Sequence, residues 1–399
     1  MRARELERRS TREAIGLSVA VIAGLLFGGC ASSDRGRLGG VVAVTGDDLR
    51  SQPGELIREV GTYRGSGFTG RRGLIGTTTS LGRAAVTVAL ILEPDRPNGT
   101  ALVYGHPTVE PADLCAPSLN SLNPTLRRLV EAGVTVALVD YPGVGTSGRE
   151  PYMVASALGR SLLDVADYVR RTYRAQSLWI GGFSEGGRAA LGASSLWQEY
   201  RPDLPVAGFV AGAPWVDVYL TVAALASGDQ SDGSLVEFMV ELLGPGDPSV
   251  VRVISGLAES YSVDPATLLD PESLGWLDRV ASTDCQRPEL SPKVHMSSDQ
   301  AIRFGELVDH ESRFALEPDG KVWLISGADD VFFGQESAQR FVSTVCSRST
   351  LELRLRSVPG GHGPAAGAFG QSLESLVAGD AAGAAGFVDP CGAPSSPSA

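Results

Sequence analysis

Short apolar runs alternate with helical patterns along residues 83–214, and this alternation predicts the core of the fold. The strand candidates are runs rich in Val, Ile, Leu and Ala at residues 83–93, 101–104, 134–139, 178–180 and 206–210. Apolar residues recur every three to four positions over residues 119–132 and 155–173, the spacing of amphipathic helices. Strands that alternate with helices through short turns favour an α/β fold, with a mostly parallel sheet flanked by helices.

The pattern changes over residues 216–294, where helical pieces follow one another without a clear strand. These pieces cover residues 218–226, 235–243, 250–261 and 274–280, and they are separated by breaks rich in Gly, Pro and Asp. We expect a cap inserted over the carboxyl edge of the sheet, with a helical side domain as the alternative. The alternation then resumes with a strand at 322–325, a helix at 337–345, a strand at 351–358 and a helix near 370–378. The predicted domain spans residues 53–391, followed by a disordered Pro/Ser tail at 392–399.

The first 29 residues have the pattern of a signal peptide. Five arginines precede an uncharged run over residues 14–27, which suits the apolar region of a signal peptide and is short for a spanning helix. The run ends in Gly28-Gly29-Cys30, which resembles a bacterial lipobox, so we expect lipidation of Cys30; simple cleavage remains the alternative. Residues 30–52 are predicted to be a linker. The protein is thus expected to be exported, either anchored in the cell envelope or secreted.

Charge and cysteine content narrow the possible partners. The net charge of −12 argues against nucleic acid and against anionic membrane surfaces, so a lipid anchor would be the only membrane contact. An exported chain favours two disulfides among the four cysteines that follow Cys30, and the residues alone leave three pairings open. No Cys/His spacing suggests a metal site. The four cysteines are Cys115, Cys285, Cys346 and Cys391.

A G-x-S-x-G motif lies between the apolar run at 178–180 and a helical stretch. Its central residue is Ser184, and strand, sharp turn and helix are the context of a nucleophile elbow. At such a turn, the backbone N–H of Glu185 points at the reaction centre from a helix N-terminus. Chance matches are frequent in a chain this rich in Gly and Ser, so a serine that merely caps a helix is the alternative.

An acid and a histidine follow the serine, each just after a predicted strand. Asp330 follows the strand at 322–325, and His362 lies on a loop after the strand at 351–358. The order Ser184, Asp330, His362 is that of an α/β-hydrolase triad, in which the histidine takes the serine proton and the aspartate orients the imidazole. Asp329 is the alternative acid. This chemistry needs no cofactor.

The remaining candidate residues are assigned supporting roles. His106 follows the strand at 101–104, where an oxyanion donor is needed; we expect it to be structural, with the N–H of Thr108 as donor, because Pro107 has no N–H. A surface or core role is predicted for His295 and His310. Asp140 precedes Ser184 in the sequence, and its carboxylate is predicted to stabilise the loop in which Asp140 itself lies.

Several strings together resemble the secretory lipase family of the lipase A type. They are Gly105-His106-Pro107-Thr108, Cys115-Ala116-Pro117-Ser118 and Asp140-Tyr141-Pro142-Gly143-Val144-Gly145-Thr146, and the resemblance extends over roughly residues 50–390. It implies an α/β-hydrolase fold with a helical cap, acting on carboxylic esters including acylglycerols. It also implies the disulfides Cys115–Cys285 and Cys346–Cys391. Pro107 is a departure, because the family usually has Gly after this histidine.

The leading hypothesis is an exported serine ester hydrolase, a lipase or carboxylesterase. Its substrate would be an ester or lipid, and an acyl-enzyme would form on Ser184, with the oxyanion held by the N–H groups of Thr108 and Glu185. An acyltransferase or peptidase on the same fold is one alternative. A non-catalytic lipoprotein of the envelope is another.

Overall fold

The structure is a computed structural model, and it describes residues 38–120, 122–217, 248–285, 294, 297–380 and 384–392. Several sequence predictions lie outside these residues. They are the signal peptide at 1–29 with Cys30, the helical pieces at 218–226 and 235–243, and His295. Among the described residues, no helix has the length and apolar character needed to cross a bilayer.

A nine-stranded sheet forms the centre of the fold, in the order β1-β2-β3-β5-β4-β6-β7-β8-β9. Strands β4 to β9 run parallel, whereas β1, β2 and β3 pair antiparallel and join the sheet through β5. The central strands are buried on both faces, which explains their continuous apolar sequences. The strands are β1 Leu56–Gly65, β2 Phe68–Thr78, β3 Ala84–Pro94, β4 Thr100–Gly105, β5 Thr135–Asp140, β6 Ser177–Phe183, β7 Val206–Gly212, β8 Gly320–Gly327 and β9 Leu351–Val358.

Helices flank this sheet in two pairs, α2 with α3 and α1 with α8. Helix α2 has the predicted bounds, whereas α1 begins later than predicted because Asn123 caps it and Pro124 is its first residue. The predicted α/β class is confirmed, because a large, mostly parallel sheet is flanked by helices. These helices are α1 Pro124–Glu131, α2 Ala155–Tyr173, α3 Glu185–Tyr200, α7 Gln335–Val345 and α8 His362–Ala378, and three further helices are described below.

The N-terminal edge of the sheet differs from the sequence prediction. Strand β2 was not predicted: β1 and β2 form a hairpin with its turn at residues 66–67, and β2 continues to Thr78. The predicted linker at 30–52 is also corrected from Leu38 onward, because this stretch packs on the domain. Leu38 and Val42 are buried, and the N–H of Val42 donates to the carbonyl of Gly145 at 2.9 Å.

The described part of the predicted cap is helical. It contains α4 Pro248–Ser260 and α5 Pro271–Ala281, close to the predicted pieces at 250–261 and 274–280. A third helix, α6 Ser298–Leu316, was not predicted. These helices form a second hydrophobic cluster separate from the sheet, with Val251, Ile254 and Trp276 from the cap and Phe304 from α6.

Two disulfides connect distant parts of the chain. Cys115 pairs with Cys285 across a sequence separation of 170, and Cys346 pairs with Cys391 across 45. This is the pairing that the family resemblance implies. The first bond joins the segment after β4 to the end of the cap, and the second joins the end of α7 to the C-terminal segment.

Candidate active site

The G-x-S-x-G motif forms a sharp turn between β6 and α3. Strand β6 ends at Phe183, α3 begins at Glu185, and Ser184 between them has φ 58° and ψ −115°. A positive φ is costly for a residue with a side chain and is typical of strained functional turns. Strand and helix touch here, since a Cβ on Gly182 would lie 2.4 Å from the carbonyl of Gly186. The motif thus has the strand–turn–helix context of a nucleophile elbow.

The elbow is also fixed to the next strand. The N–H of Ser184 donates to the carbonyl of Gly212 at the end of β7 at 2.7 Å. Glu185 is the first residue of a helix of 16 residues, so its own N–H has no partner within the helix. An N–H at this position favours a developing negative charge beside Ser184.

His362 and Asp330 form a direct contact. Nδ1 of His362 lies 2.8 Å from Oδ2 of Asp330, and both side chains are buried. The other carboxylate oxygen of Asp330 accepts from the N–H of Phe332 at 2.9 Å. Asp329 instead donates its backbone N–H to the carbonyl of Gly360. Since Nδ1 of the imidazole is occupied by Asp330, Nε2 is the ring nitrogen left to exchange a proton with a hydroxyl.

Aromatic rings hold the imidazole beside the elbow. The ring of Phe183, directly before Ser184, has its centroid 4.6 Å from that of His362, and the ring of Phe332 lies 4.9 Å away. His362 was predicted on a loop, but it is the first residue of α8. The helix begins earlier than predicted. Its start was missed because Gly363 and Gly367, which lie within it, gave the sequence a loop-like pattern.

The segment after β4 faces the elbow. Residues 106–110 belong to no helix or strand, and the hydroxyl of Thr108 lies 3.1 Å from that of Tyr152. His106 is buried against the ring of Tyr141 at 4.4 Å, with Nδ1 2.7 Å from the carbonyl of Pro107. Burial lowers the pKa of His106, so its imidazole is neutral at ordinary pH. We call residues 106–110 the oxyanion loop, after the role that the sequence predicts for the N–H of Thr108.

The side chain of Glu185 was missed at the sequence level, where only its N–H was considered. Its carboxyl is fully buried, and Oε1 accepts from the N–H of Met153 at 3.5 Å. Burial is the main cause that raises the pKa of Glu185 well above its ordinary value, and the negative charge of Glu150 is the second. A glutamate at a helix N-terminus is normally expected to be ionised, so the sequence carries no signal of this.

Asp140 and His310 lie away from the contact between His362 and Asp330. Asp140, at the end of β5, is fully buried and accepts from the N–H of Ser118 at 3.0 Å, with Arg72 at 3.9 Å. This pairing fixes the segment that contains Cys115. His310 lies on α6 near the ring of Tyr261. In the described part of the chain, no group of three or more His, Cys, Asp or Glu side chains is arranged to hold a metal ion.

Comparisons with known proteins agree with this architecture. A family described as "Secretory lipase" matches residues 119–249. Lipase A from Candida antarctica in its closed state has 15% identity and a TM-score of 0.64, over 86% of this chain and 85% of that chain. The rice cell wall degrading esterase LipA from Xanthomonas oryzae has 15% identity and a TM-score of 0.57, over 82% of this chain and 97% of that chain. A comparison with curated protein sequences gave no significant match.

The match to the secretory lipase model over residues 119–249 supports an ester hydrolase, and the solved structures show that the fold is that of the α/β-hydrolases. Within that class, the resemblance to the secretory lipases stated from the sequence is confirmed. The sequence identity to both solved structures is low, so these similarities establish the fold alone. Residue roles and substrate follow from the chemistry of this chain.

Proposed function

We propose that this protein is an exported serine ester hydrolase that uses Ser184, His362 and Asp330 as its catalytic triad. The observation that carries the proposal is the 2.8 Å contact between His362 and Asp330, packed through Phe183 against the elbow. Asp330 keeps Nδ1 of the imidazole engaged and stabilises the imidazolium, while Nε2 takes the proton of Ser184.

The reaction proceeds through an acyl-enzyme. Ser184 attacks the ester carbonyl, and His362 accepts the serine proton and passes it to the leaving alcohol. In the second half of the reaction, His362 takes a proton from water, and the oxygen of that water attacks the acyl-enzyme. The proton then returns to Ser184 as the acid leaves. The N–H groups of Glu185 and Thr108 are the proposed donors to the oxyanion. The backbone strain at Ser184 supports this role, because a sharp turn projects the hydroxyl away from the sheet.

The proposed substrates are carboxylic esters, including acylglycerols. The structural neighbours are a lipase and an esterase, and the family match is to secretory lipases. The helical cap forms a hydrophobic cluster with Tyr152, Met153 and Trp215 of the body, which suits a wall for an acyl chain. The test below measures which acyl chain lengths the enzyme accepts.

The test is labelling of the purified protein with a fluorophosphonate, followed by a p-nitrophenyl ester series of increasing acyl length. Wild-type protein should be labelled and turn over these esters, and Ser184→Ala should lose both while keeping its unfolding transition. Ser195→Ala, on the same helix, is the matched control and should be labelled like the wild type. Full activity in Ser184→Ala would refute the assignment.

Export with a lipid anchor at Cys30 is a separate proposal. The two disulfides favour an oxidising compartment, and the sequence Gly28-Gly29-Cys30 supports modification of that cysteine. In a bacterial expression host, wild-type protein should partition with membranes and yield a diacylated N-terminal peptide by mass spectrometry. Cys30→Ser should be released in soluble form, and an unmodified Cys30 in the wild type would refute the anchor.

A further inference from the structure

A buried ion pair connects the cap to the body near the oxyanion loop. Arg252, on α4, donates from Nη2 to Oε2 of Glu150, and their side chains are only 7% and 10% exposed. Removing two charges from water is costly, and a buried pair repays this cost only when its geometry is good and its other donors are satisfied. The remaining contacts of Arg252 therefore indicate what the pair does.

These contacts reach two adjacent residues of the oxyanion loop, Thr108 and Val109. Nη1 of Arg252 donates to the carbonyl of Val109 at 2.9 Å. The guanidinium also lies flat over Tyr152, 3.9 Å from the ring centroid, and the hydroxyl of that tyrosine is 3.1 Å from the hydroxyl of Thr108. A single side chain of the cap thus contacts Val109 directly and reaches Thr108 through Tyr152.

The oxyanion loop needs such outside contacts. It forms no helix or strand of its own, and Pro107 has no N–H with which to fix it. An oxyanion donor must be held near its final position before the reaction, because hydrogen bonds that have to reorganise stabilise the transition state poorly. The contacts restrain the Thr108 side chain, through Tyr152, and the carbonyl of the next residue, Val109, and so limit the movement of the Thr108 N–H.

We propose that Arg252 is a positioning residue for the reaction: from the cap, it holds the oxyanion loop so that the N–H of Thr108 faces the developing oxyanion. Glu150 keeps the guanidinium in its orientation. The proposal rests on the proposed function and adds that the cap takes part in assembling the oxyanion site. It follows that docking of α4 and competence for the acyl transfer step are linked.

An arginine is the residue that this position requires. Its planar fork donates in two directions, to Val109 and to Glu150, while its flat face stacks on Tyr152. A lysine offers one compact ammonium and no flat face, so it satisfies only part of this set. We therefore expect Arg252→Lys to recover only a fraction of the activity lost in an uncharged variant.

The test compares two variants at the boundary between body and cap. Arg252→Met combined with Glu150→Gln removes both charges together and leaves no unpaired buried ion. The control is Arg149→Met, which loses ion pairs to Glu259 at 3.1 Å and Asp278 at 2.9 Å that also join body and cap. The urea unfolding midpoint of each variant checks that the fold is retained.

For a soluble short ester such as p-nitrophenyl butyrate, the double variant should lose about 10- to 100-fold in kcat with KM nearly unchanged. Arg149→Met should stay within about twofold of the wild type in both constants, because it does not restrain the loop. Amide hydrogen exchange of the peptide covering residues 106–110 should be faster in the double variant and unchanged in the control.

Each result decides the question. A double variant that is folded and keeps the kcat and the exchange rate of Arg149→Met refutes the positioning role. A loss confined to KM also refutes it, because Arg252 would then contribute to substrate binding. Failure of the wild type to react with a fluorophosphonate or any ester refutes the proposed function instead, and the exchange rates then still report whether Arg252 holds the loop.

Discussion

A methyl group on Gly186 would lie 2.1 Å from the carbonyl oxygen of Gly105. Gly186 is in the first turn of α3, and Gly105 is the last residue of β4. The same methyl group would lie 2.9 Å from the carbonyl of His106, at the start of the oxyanion loop. Elbow and oxyanion loop therefore pack as one unit, in which neither backbone moves without the other.

We predict that Gly186→Ala damages both stability and activity. The added methyl group forces α3 away from β4, and such overpacking costs about 1–3 kcal/mol of unfolding free energy. Turnover should fall further than stability explains, since the proposed oxyanion donors, Thr108 and Glu185, lie on the two segments pushed apart. Urea unfolding and ester hydrolysis measure the two effects.

The matched control is Gly367→Ala, in the middle of α8. No atom lies within 4 Å of a Cβ at that position, so helix propensity dominates and the variant should gain about 0.5–1 kcal/mol. Equal effects of the two substitutions would contradict the close packing of elbow and loop.

Elements with a continuous apolar pattern were predictable from the sequence, and those with a broken pattern were not. Helix α6 was missed because it packs against two clusters: Phe304 packs with the cap, whereas Phe314 and Leu316 pack against the main core. It also buries Glu311, which accepts from the N–H of Ser156 at 2.8 Å and from the hydroxyl of Tyr261. A buried acid interrupts the apolar periodicity on which helix prediction depends.

Strand β2 was missed for a related reason. Gly70 lies opposite Tyr63, and a Cβ there would be 2.2 Å from that ring, so glycine is required where the sequence suggests a turn. At the site, Ser184, Asp330 and His362 were proposed from the motif and from their order along the chain. Arg252 was not, because its partners Glu150 and Val109 lie 102 and 143 residues away in sequence.

We predict that Asp330→Asn reduces kcat by roughly 10³- to 10⁴-fold, because an amide at this position favours the wrong imidazole tautomer. Asp329→Asn, one residue earlier, should have a far smaller effect, since its backbone N–H, which the substitution retains, makes the contact to Gly360. Single-turnover acylation by a p-nitrophenyl ester measures the difference. A larger loss in Asp329→Asn would transfer the role to that residue.

We predict that the two disulfides contribute unequally to stability. The Cys115–Cys285 bond closes a sequence separation of 170, against 45 for Cys346–Cys391. On a chain-entropy account, the longer loop restricts the unfolded chain more, and its bond should contribute about 1 kcal/mol more. Urea unfolding of the two double Cys→Ala variants compares them directly. An equal or reversed ranking would mean that native packing, not loop closure, sets their contributions.

The buried carboxyl of Glu185 should give the protein a distinctive pH dependence of stability. Burial, with the charge of Glu150 next in importance, raises the pKa of Glu185 well above 4.5, although Arg252 opposes the shift. The native state therefore keeps a proton that the unfolded chain releases near pH 4.5. As pH rises beyond that value, the unfolded state binds fewer protons than the native state, and this group lowers the unfolding free energy.

Glu185→Gln removes this loss, because an amide does not ionise and has nearly the shape of the neutral acid. The unfolding free energy of the variant minus that of the wild type should thus increase as the pH rises above about 4.5. Glu199→Gln, at the exposed far end of α3, serves as the matched control for substitution at a solvated position. Turnover of Glu185→Gln at neutral pH should stay close to wild type, since the same neutral contacts remain around the elbow. A difference that shrinks with rising pH would show instead that the native carboxyl is ionised, with Arg252 as its counter-ion.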